Sequence, residues 1–455
     1  MYNMIQQLKN NRYTLLFVYL ACTLMFFACG SDSSSSTALE ESEADSGAVS
    51  IAETRALSLP ISSSSTRVLT GAEQLIANQL DLLKNKRVAI IANPTSCMPD
   101  GTHLVDTLIA LGVNVVKVFG PEHGFRGDAS AGTKVKSSHD KKTGLPVLSL
   151  YGNNRKPKPA QLKEVDVVIF DIQDVGSRHY TYIYTMSYAI EACAENNKPI
   201  IILDRPNPNG WYVDGPVLNK KYSSFIGMHE IPIVHGMTVG EYAQMVNEEG
   251  WLKNGVKAEL TVISCANYTH QMRWEETGLA WIPPSPNLAT EYAAYLYPAI
   301  CWLEPTVVSV GRGTDEAFTI IGAPWFSGFQ VARTTSEGLQ LYGLQMEGYT
   351  FTPRSLPGKS EHPKFQDESC QGLRFKNRVE GKPLFLVSLS LLQSLYQQGS
   401  VKGAFFKKGF EKWAGNAELR QQVINSITPE DIYASWQPGV EAFKEKRKKY
   451  LLYEE

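Results

Sequence analysis

Short runs of apolar residues, many of them β-branched, alternate with amphipathic stretches along the chain from about residue 86 onward. Five of these runs predict buried strands, at 87–92, 113–119, 146–152, 165–174 and 198–206. Amphipathic stretches between them predict helices at 103–112, 160–165 and 180–197. Continuous apolar strands separated by helices are typical of a parallel sheet that is covered on both faces. The pattern therefore predicts an α/β fold built on a doubly wound parallel sheet.

The alternation loosens after about Gly210. Residues 237–252 predict a further helix, with Thr238 as its N-cap and Glu241 completing a capping box. Residues 258–265 predict another strand, and the proline-rich stretch 281–290 predicts a loop. The rest of the chain mixes both patterns, so we predict a main domain at 67–300 and a smaller α+β C-terminal domain at 301–455.

The first residues have the composition of an export signal. Lys9 and Arg12 precede an apolar run at 14–28 that ends at Cys29. About fifteen apolar residues suit a signal peptide and are fewer than the roughly twenty of a membrane span. The string at 26–29 resembles a lipobox, so we predict a lipoprotein signal peptide at 1–29 with lipidation of Cys29. The alternative is an ordinary cleaved secretory signal.

Residues 30–66 are rich in serine and acidic residues and contain few large apolar groups. Such a segment cannot bury enough surface to order itself, so we predict a disordered tether. We therefore predict that the protein is exported and lipid-anchored to the cell envelope, on its periplasmic or outer-membrane face.

Charge and cysteine content narrow the choice of ligands. The 44 basic side chains nearly balance the 46 acidic ones, which gives no electrostatic footprint for nucleic acid. The cysteines beyond residue 66 contain no C-x-x-C pair. We therefore expect no metal and no cofactor, and a neutral or weakly anionic small ligand.

Polar side chains follow several of the predicted strands, where open parallel sheets bind their ligands. These residues are Asn93 after the first strand, Glu122, His123 and Arg126 after the second, Asp171, Asp174 and Arg178 after the fourth, and Asp204 and Asn207 after the fifth. We predict that they share one edge of the sheet. Two alternatives stay open: Asp171 and Asp174 cap the following helix, or Asp204 forms a structural ion pair with Arg205.

The second half adds His235, Asn287, Glu304 and Arg312 as reactive side chains. The stretch 311–313 has neither the spacing of a dinucleotide fingerprint nor a Walker lysine. No G-x-S-x-G string is present, which argues against an esterase of the usual α/β-hydrolase kind.

Six strings, in order along the chain, resemble the NamZ family of exo-β-N-acetylmuramidases: FGPEHGFRGD, FDIQDVGSRHYTY, LDRPNPNG, IPIVHGMTVGE, WIPPSPN and VSVGRGT. The resemblance runs from roughly Gly71 to the C-terminus. It implies a Rossmann-like first domain, a smaller C-terminal domain and an active site in the cleft between them. Members of the family remove N-acetylmuramic acid (MurNAc) from the non-reducing ends of peptidoglycan fragments.

The resemblance also implies roles for particular residues. The catalytic glutamate of the family falls on Glu122, which we expect to act as general acid. Glycoside hydrolysis needs a second group, for which the candidates are His123, Asp171, Asp174 and Glu304. The lactyl carboxylate of MurNAc calls for an arginine fork, and the available forks are Arg126, Arg178 and Arg312. Tyr180 and Tyr182 are expected to contact the sugar. Pro305 and Ala289 depart from the family strings, in loops expected to face the substrate.

Two other functions compete with this interpretation. The first is a metal-assisted cell-wall hydrolase or amidase that uses Asp171, Asp174, His179 and His235. The second is a non-catalytic lipoprotein that binds muropeptides. In every case the expected partners are MurNAc-containing fragments and, through the anchor alone, a membrane.

Overall fold

The computed structural model describes residues 67–127, 138–325, 342–379, 384–398 and 402–455, all within one compact unit. The predicted signal peptide at 1–29, with Cys29, and the tether at 30–66 lie outside the described residues. Within the described ranges, none of the helices has the length and apolar character needed to cross a bilayer.

Seven strands form the central sheet. They are β1 (Val88–Ala92), β2 (Val115–Gly120), β3 (Ser138–His139), β4 (Pro146–Ser149), β5 (Val167–Asp171), β6 (Ile200–Leu203) and β7 (Leu260–Ile263). Their order is β3-β4-β2-β1-β5-β6-β7, and every neighbouring pair is parallel except β3 with β4. The six parallel strands thus follow the Rossmann order, with the switch point between β1 and β5. The predicted fold class is confirmed.

Helices connect and cover these strands. The α-helices are α1 (Gly71–Asn78), α2 (Leu104–Ala110), α3 (Pro159–Leu162), α4 (Tyr182–Glu195), α5 (Val239–Glu248), α6 (Glu291–Ile300), α7 (Leu384–Gln397), α8 (Phe410–Ala414), α9 (Glu418–Ile424) and α10 (Pro429–Arg447). Short 3-10 helices lie at Leu80–Leu83, Lys220–Tyr222, Lys253–Gly255, Trp274–Thr277, Cys301–Leu303, Lys402–Ala404 and Lys448–Tyr450. The capping box predicted at Thr238 and Glu241 is present at the start of α5.

Side chains of β1 alternate between two cores, which explains its continuous apolar run. Ile90 packs in the cluster that also contains Leu104 of α2. Ile91 packs in the larger cluster that contains Ile183 of α4 and Tyr242 of α5. All residues of β1 and β5 are buried. The two faces are therefore both closed to solvent, and the strand ends are left for polar groups.

The remaining described residues add a smaller antiparallel sheet. Its strands are β8 (Ile320–Ala323), β9 (Met346–Phe351) and β10 (Cys370–Phe375), in the order β8-β10-β9. Helix α7 packs against α9 and α10, and α8 packs against α9. The predicted domain boundary at residue 300 coincides with the end of α6, and the boundary itself stays a prediction.

Asp204, at the end of β6, joins three parts of the chain. Its carboxylate accepts hydrogen bonds from the Thr238 hydroxyl (2.7 Å), the Gly240 N–H (2.8 Å) and the Tyr453 hydroxyl (2.6 Å). The side chain is fully buried, and burial raises its pKa to about 6. Asp204 thus anchors the start of α5 and the C-terminus to the sheet and is not exposed to a ligand.

Asp174 lies in the loop after β5 and is also buried. Its Oδ1 accepts a hydrogen bond from the Gly176 N–H at 2.8 Å, whereas its Oδ2 has no partner among the described residues. Burial raises the pKa of Asp174 to about 7. Because an unpartnered carboxylate is costly to bury, the neutral acid is the form that suits this position.

We expect Asp174→Asn to change how stability depends on pH. The unfolded pKa is about 3.9, so folding takes up a proton between that value and the folded pKa of about 7. The stabilisation from this group is complete below the unfolded pKa and is lost as pH rises through the folded pKa. Urea denaturation should therefore show the wild type losing stability relative to Asp174→Asn between about pH 4 and about pH 8. The exposed control Asp81→Asn should give a flat difference, and a flat difference for Asp174→Asn would contradict the account.

Candidate active site

A cavity of about 180 Å³ lies beyond the end of β2, where the first turn of α4 meets residues of the C-terminal half. It is lined by Glu122, His123, His179, Tyr180, Thr181, Tyr182, Ile226, Ser285, Leu288, Tyr297, Arg312, Phe318 and Trp413. Six of these were named from the sequence: Glu122, His123, Tyr180, Tyr182 and Arg312 as site residues, and His179 as part of the metal-assisted alternative. The cavity combines an acid, a cation and several aromatic rings, the composition of a site for a polar ring-shaped ligand.

Glu122 supplies the carboxyl group of the cavity. It is half-buried in the loop after β2, and its Oε2 accepts a hydrogen bond from the Thr181 hydroxyl at 3.1 Å. Burial, the charge of Glu122 and a hydrogen bond with it all raise the pKa of the Tyr151 hydroxyl. Tyr151 therefore keeps its proton and serves as a donor to the carboxylate. Two hydroxyl groups thus orient one carboxyl group at the cavity wall.

Two residues that line the cavity have left-handed backbone conformations. The φ angle is 72° at His123 and 66° at Phe318. Such angles are uncommon for side chains other than glycine and cost on the order of 1–3 kcal/mol. The Phe318 N–H donates to Val310 O at 2.7 Å, which fixes the second of these turns. Strained backbone retained at two sides of one cavity indicates a functional site.

Arg312 is the cation of the cavity. Its Nε donates to Glu304 Oε1 at 2.5 Å, and no hydrogen bond from its terminal nitrogens to a described residue is found. Burial disfavours its charge, but the carboxylates of Glu304 and Glu122 outweigh that effect and raise the pKa of Arg312. The guanidinium therefore stays charged and keeps Nη1 and Nη2 available for an acceptor.

Lys364 holds the backbone of the segment that precedes Arg312. Its Nζ donates to the backbone oxygens of Glu304 and Val308, both at 2.7 Å. Burial lowers the pKa of Lys364 to about 8. Lys364 thereby ties together two turns of the segment that leads to Arg312.

Tyrosines form another wall. Tyr180 meets Tyr182 and Tyr297 edge to face, at centroid distances of 5.0 and 5.7 Å. The Tyr182 hydroxyl donates to Pro284 O at 2.6 Å, which fixes the proline-rich loop beside the cavity. Aromatic faces held in this way suit the apolar face of a sugar ring.

The structure does not bring the other two candidate arginines to the cavity. Arg126 forms two-pronged contacts with Asp140 (2.8 and 2.8 Å) and Asp106 (2.9 and 3.3 Å). The guanidinium of Arg126 holds the pKa of Asp140 well below its usual range. Arg178 is fully buried and donates to backbone oxygens instead. Only Arg312 remains as a fork for a substrate carboxylate.

Asp171 is also committed to another side chain. Its two carboxylate oxygens accept from Arg205 Nε (2.6 Å) and Nη2 (2.9 Å) in a buried ion pair. Arg205 thus pairs with Asp171 rather than with Asp204, which corrects the ion pair suggested by their adjacency. Neither Asp171 nor Asp174 lines the cavity with Glu122.

Four further candidates hold loops through backbone contacts. The contacts are Asn93 Oδ1 with the Thr95 N–H, Asn207 Nδ2 with Met237 O, His235 Nδ1 with the Met237 N–H, and Asn287 Nδ2 with Lys359 O. Over the described ranges there is no group of three or more side chains placed to hold a metal ion. The set proposed for a metal-assisted reaction is therefore not gathered at one point.

A second cavity of about 410 Å³ lies near the switch point of the sheet, between the loops after β1 and β5. Its charged groups are paired with each other or with buried residues: Arg205 with Asp171, and Arg67 with Glu73. It offers no carboxyl group free to transfer a proton. The smaller cavity around Glu122 is therefore the candidate active site.

Several residues of the site were not expected from the sequence. Tyr151 contacts Glu122, and Thr181, Tyr297, Phe318 and Trp413 line the cavity. Thr181 lies between Tyr180 and Tyr182, which the sequence predicted to contact the sugar. This position is the signal that could have identified Thr181 as a site residue. Trp413 belongs to a distant part of the chain with no recognisable string, and only the tertiary structure brings it here.

The comparisons with known proteins agree with each other. The family models described as exo-beta-N-acetylmuramidase NamZ, N-terminal and C-terminal, match residues 88–292 and 295–453. The peptidoglycan beta-N-acetylmuramidase NamZ of Bacillus subtilis (strain 168) is 39% identical over 394 residues, which is 85% of this chain and 92% of that protein. Crystal structures of two DUF1343 family proteins from Bacteroides fragilis are 42% and 34% identical, with TM-scores of 0.73 and 0.77, and each match covers 85% of this chain and 99% of the other. With both halves of its fold matched in order, this chain belongs to the NamZ family of exo-β-N-acetylmuramidases.

Proposed function

We propose that this protein is a glycoside hydrolase that releases MurNAc from the non-reducing ends of peptidoglycan fragments. The observation that carries the proposal is a half-buried carboxyl group, Glu122, in a cavity that also presents the charged head of Arg312. The peptidoglycan substrate is inferred from the name of the Bacillus subtilis relative. The cavity, at about 180 Å³, is smaller than the ~300–1,000 Å³ of common ligand pockets. This size favours one terminal sugar over a glycan chain passing through.

Glu122 acts as the general acid in this proposal. Departure of the leaving sugar requires a proton on the glycosidic oxygen as the ring acquires oxocarbenium character. The Thr181 and Tyr151 hydroxyls orient the carboxyl group and donate to the carboxylate that proton transfer leaves behind. The second catalytic group is His123 or Glu304 in this proposal. His123 lines the cavity, and Glu304 is hydrogen-bonded to Arg312, which also lines it. Asp171 is instead held in an ion pair with Arg205.

Arg312 recognises the lactyl carboxylate. Glu304 occupies only its Nε, so Nη1 and Nη2 can donate to the two oxygens of an incoming carboxylate. GlcNAc lacks the lactyl group, so this contact discriminates the two sugars. When GlcNAc occupies the cavity, Nη1 and Nη2 of the Arg312 guanidinium are left without a partner. This penalty discriminates more strongly than a difference in apolar contacts.

Glu122→Gln should abolish turnover without abolishing binding. Removing a general acid costs about 10²–10⁴-fold in kcat, while the amide keeps the shape and the contact with Thr181. The measurement is release of the terminal sugar from a β-linked MurNAc–GlcNAc disaccharide, whose alcohol leaving group needs the proton, beside the GlcNAc–GlcNAc analogue. The exposed Glu230→Gln is the matched control and should retain full activity. A wild type that binds MurNAc fragments but hydrolyses neither substrate would instead establish a binding lipoprotein.

Arg312→Met should weaken the preference for MurNAc. Loss of a charge-assisted contact costs about 1.5–3 kcal/mol, or roughly 10–100-fold in affinity. Calorimetric titration of Glu122→Gln and of Glu122→Gln/Arg312→Met, with MurNAc and with GlcNAc, measures this directly. Binding of MurNAc should weaken while binding of GlcNAc stays unchanged. Equal loss for both sugars would contradict a role for Arg312 in reading the carboxylate.

We further propose that the protein is exported and held at the cell envelope through a lipid on Cys29. The support is the basic and apolar sequence before Cys29 and the serine-rich stretch after it. Cys29→Ser should move the protein from the detergent-soluble membrane fraction to the soluble fraction. Cys22→Ser, within the same apolar run, is the matched control and should not. Membrane association that persists in Cys29→Ser would contradict the anchor.

A further inference from the structure

Trp413 is an aromatic residue in the wall of the cavity that contains Glu122. It lies in α8, is half-buried, and its ring stacks on His179 with centroids 5.3 Å apart and planes at 29°. Phe410 and Ala414 of the same helix are fully buried and hold it to the core. Trp413 is only partly packed against that core, and it also lines the cavity.

Two consecutive residues hold Trp413 by its backbone. Trp413 O accepts from His179 Nε2 at 2.7 Å and from Arg178 Nη2 at 3.0 Å. Since a carbonyl can only accept, His179 carries its proton on Nε2. Its Nδ1 then accepts from the Cys301 thiol at 2.9 Å. Both ring nitrogens of His179 are therefore engaged, which fixes the imidazole that holds Trp413. Burial lowers the pKa of His179 to about 3, so the ring stays neutral.

Arg178 reinforces the same contact at an energetic cost. Its guanidinium donates to Pro216 O, Ile231 O and Ala414 O as well as to Trp413 O. It is fully buried, has no carboxylate partner among the described residues, and burial lowers its pKa to about 10. A buried cation with only carbonyl partners is expensive relative to apolar packing. The buried guanidinium of Arg178 therefore fixes the positions of the Trp413 and Ala414 carbonyls.

Gly415 shows how close this approach is. A Cβ added at Gly415 would lie 2.7 Å from Arg178 Nη2, and the residue has a φ of 82°. No other residue fits beside the guanidinium without displacing it. The end of α8 is therefore shaped to let Arg178 reach the carbonyls of Trp413 and Ala414.

We propose that Trp413 is a sugar-binding platform whose indole packs against the MurNAc ring, and that Arg178 and His179 are positioning residues that hold it. The inference rests on the proposed function, because it names the surface that the sugar occupies in that same cavity. The apolar face of a pyranose ring is complementary to an aromatic face, and a rigid ring loses little entropy on binding. The stacked imidazole keeps the indole at one angle before the sugar arrives.

The test uses Trp413→Ala, Trp413→Phe and a matched control, Trp251→Ala. Trp251 also stacks on a histidine, His229, with centroids 4.8 Å apart, but it does not line the cavity. Trp413→Ala should raise KM for para-nitrophenyl β-MurNAc by roughly 10-fold and change kcat less. Trp413→Phe should recover most of the loss, and Trp251→Ala should leave KM unchanged.

The positioning role is tested in the Glu122→Gln background, by calorimetric titration with MurNAc. His179→Phe, which keeps a ring but loses the hydrogen bond, should weaken binding when Trp413 is present. It should have no further effect once Trp413 is alanine, because it acts through that residue. Additive losses would overturn the positioning role, and unchanged binding in Trp413→Ala would overturn the platform. If the Glu122→Gln protein binds no MurNAc at all, the proposed function fails together with this inference.

Discussion

Burial of both faces of the central sheet is the constraint on which the rest of the structure depends. β1 and β5 lie between two hydrophobic cores, so they carry only apolar residues until they end. Polar side chains are therefore displaced to the loops after the strands, and several carboxyl groups gather at that edge. A buried carboxylate must be paired, hydrogen-bonded or protonated. The structure uses all three solutions.

These solutions separate the structural carboxyl groups from Glu122, which we propose to be the reactive one. Asp171 is paired with Arg205, Asp204 accepts three hydrogen bonds from distant parts of the chain, and burial raises the pKa of Asp174 to about 7. Glu122 differs because it follows β2, away from the switch point, and is only half-buried. Its wall is completed by the C-terminal half, through Arg312 and Trp413. In the proposed mechanism, the second half of the chain supplies specificity and the first half presents the acid.

The sequence predicted the parts of this account that depend on local pattern. The parallel strands, the capping box at Thr238 and the position of Glu122 after a strand all follow from spacing and residue type. Partners far apart in the chain could not be predicted. Arg126 and Arg178 looked equivalent to Arg312, yet two aspartates hold the first and backbone carbonyls hold the second. Trp413 was missed for the same reason, since its place beside His179 exists only in the folded chain.

The central claim is that Glu122 donates the proton to the leaving group, and its most direct test is the dependence of rate on that group. Aryl β-MurNAc substrates with phenols of increasing pKa need increasing protonation as they depart. The account predicts that the rate ratio of wild type to Glu122→Gln rises with the phenol pKa, since only the wild type supplies the proton. A ratio that stays constant across the series would contradict it and would assign Glu122 a role other than general acid.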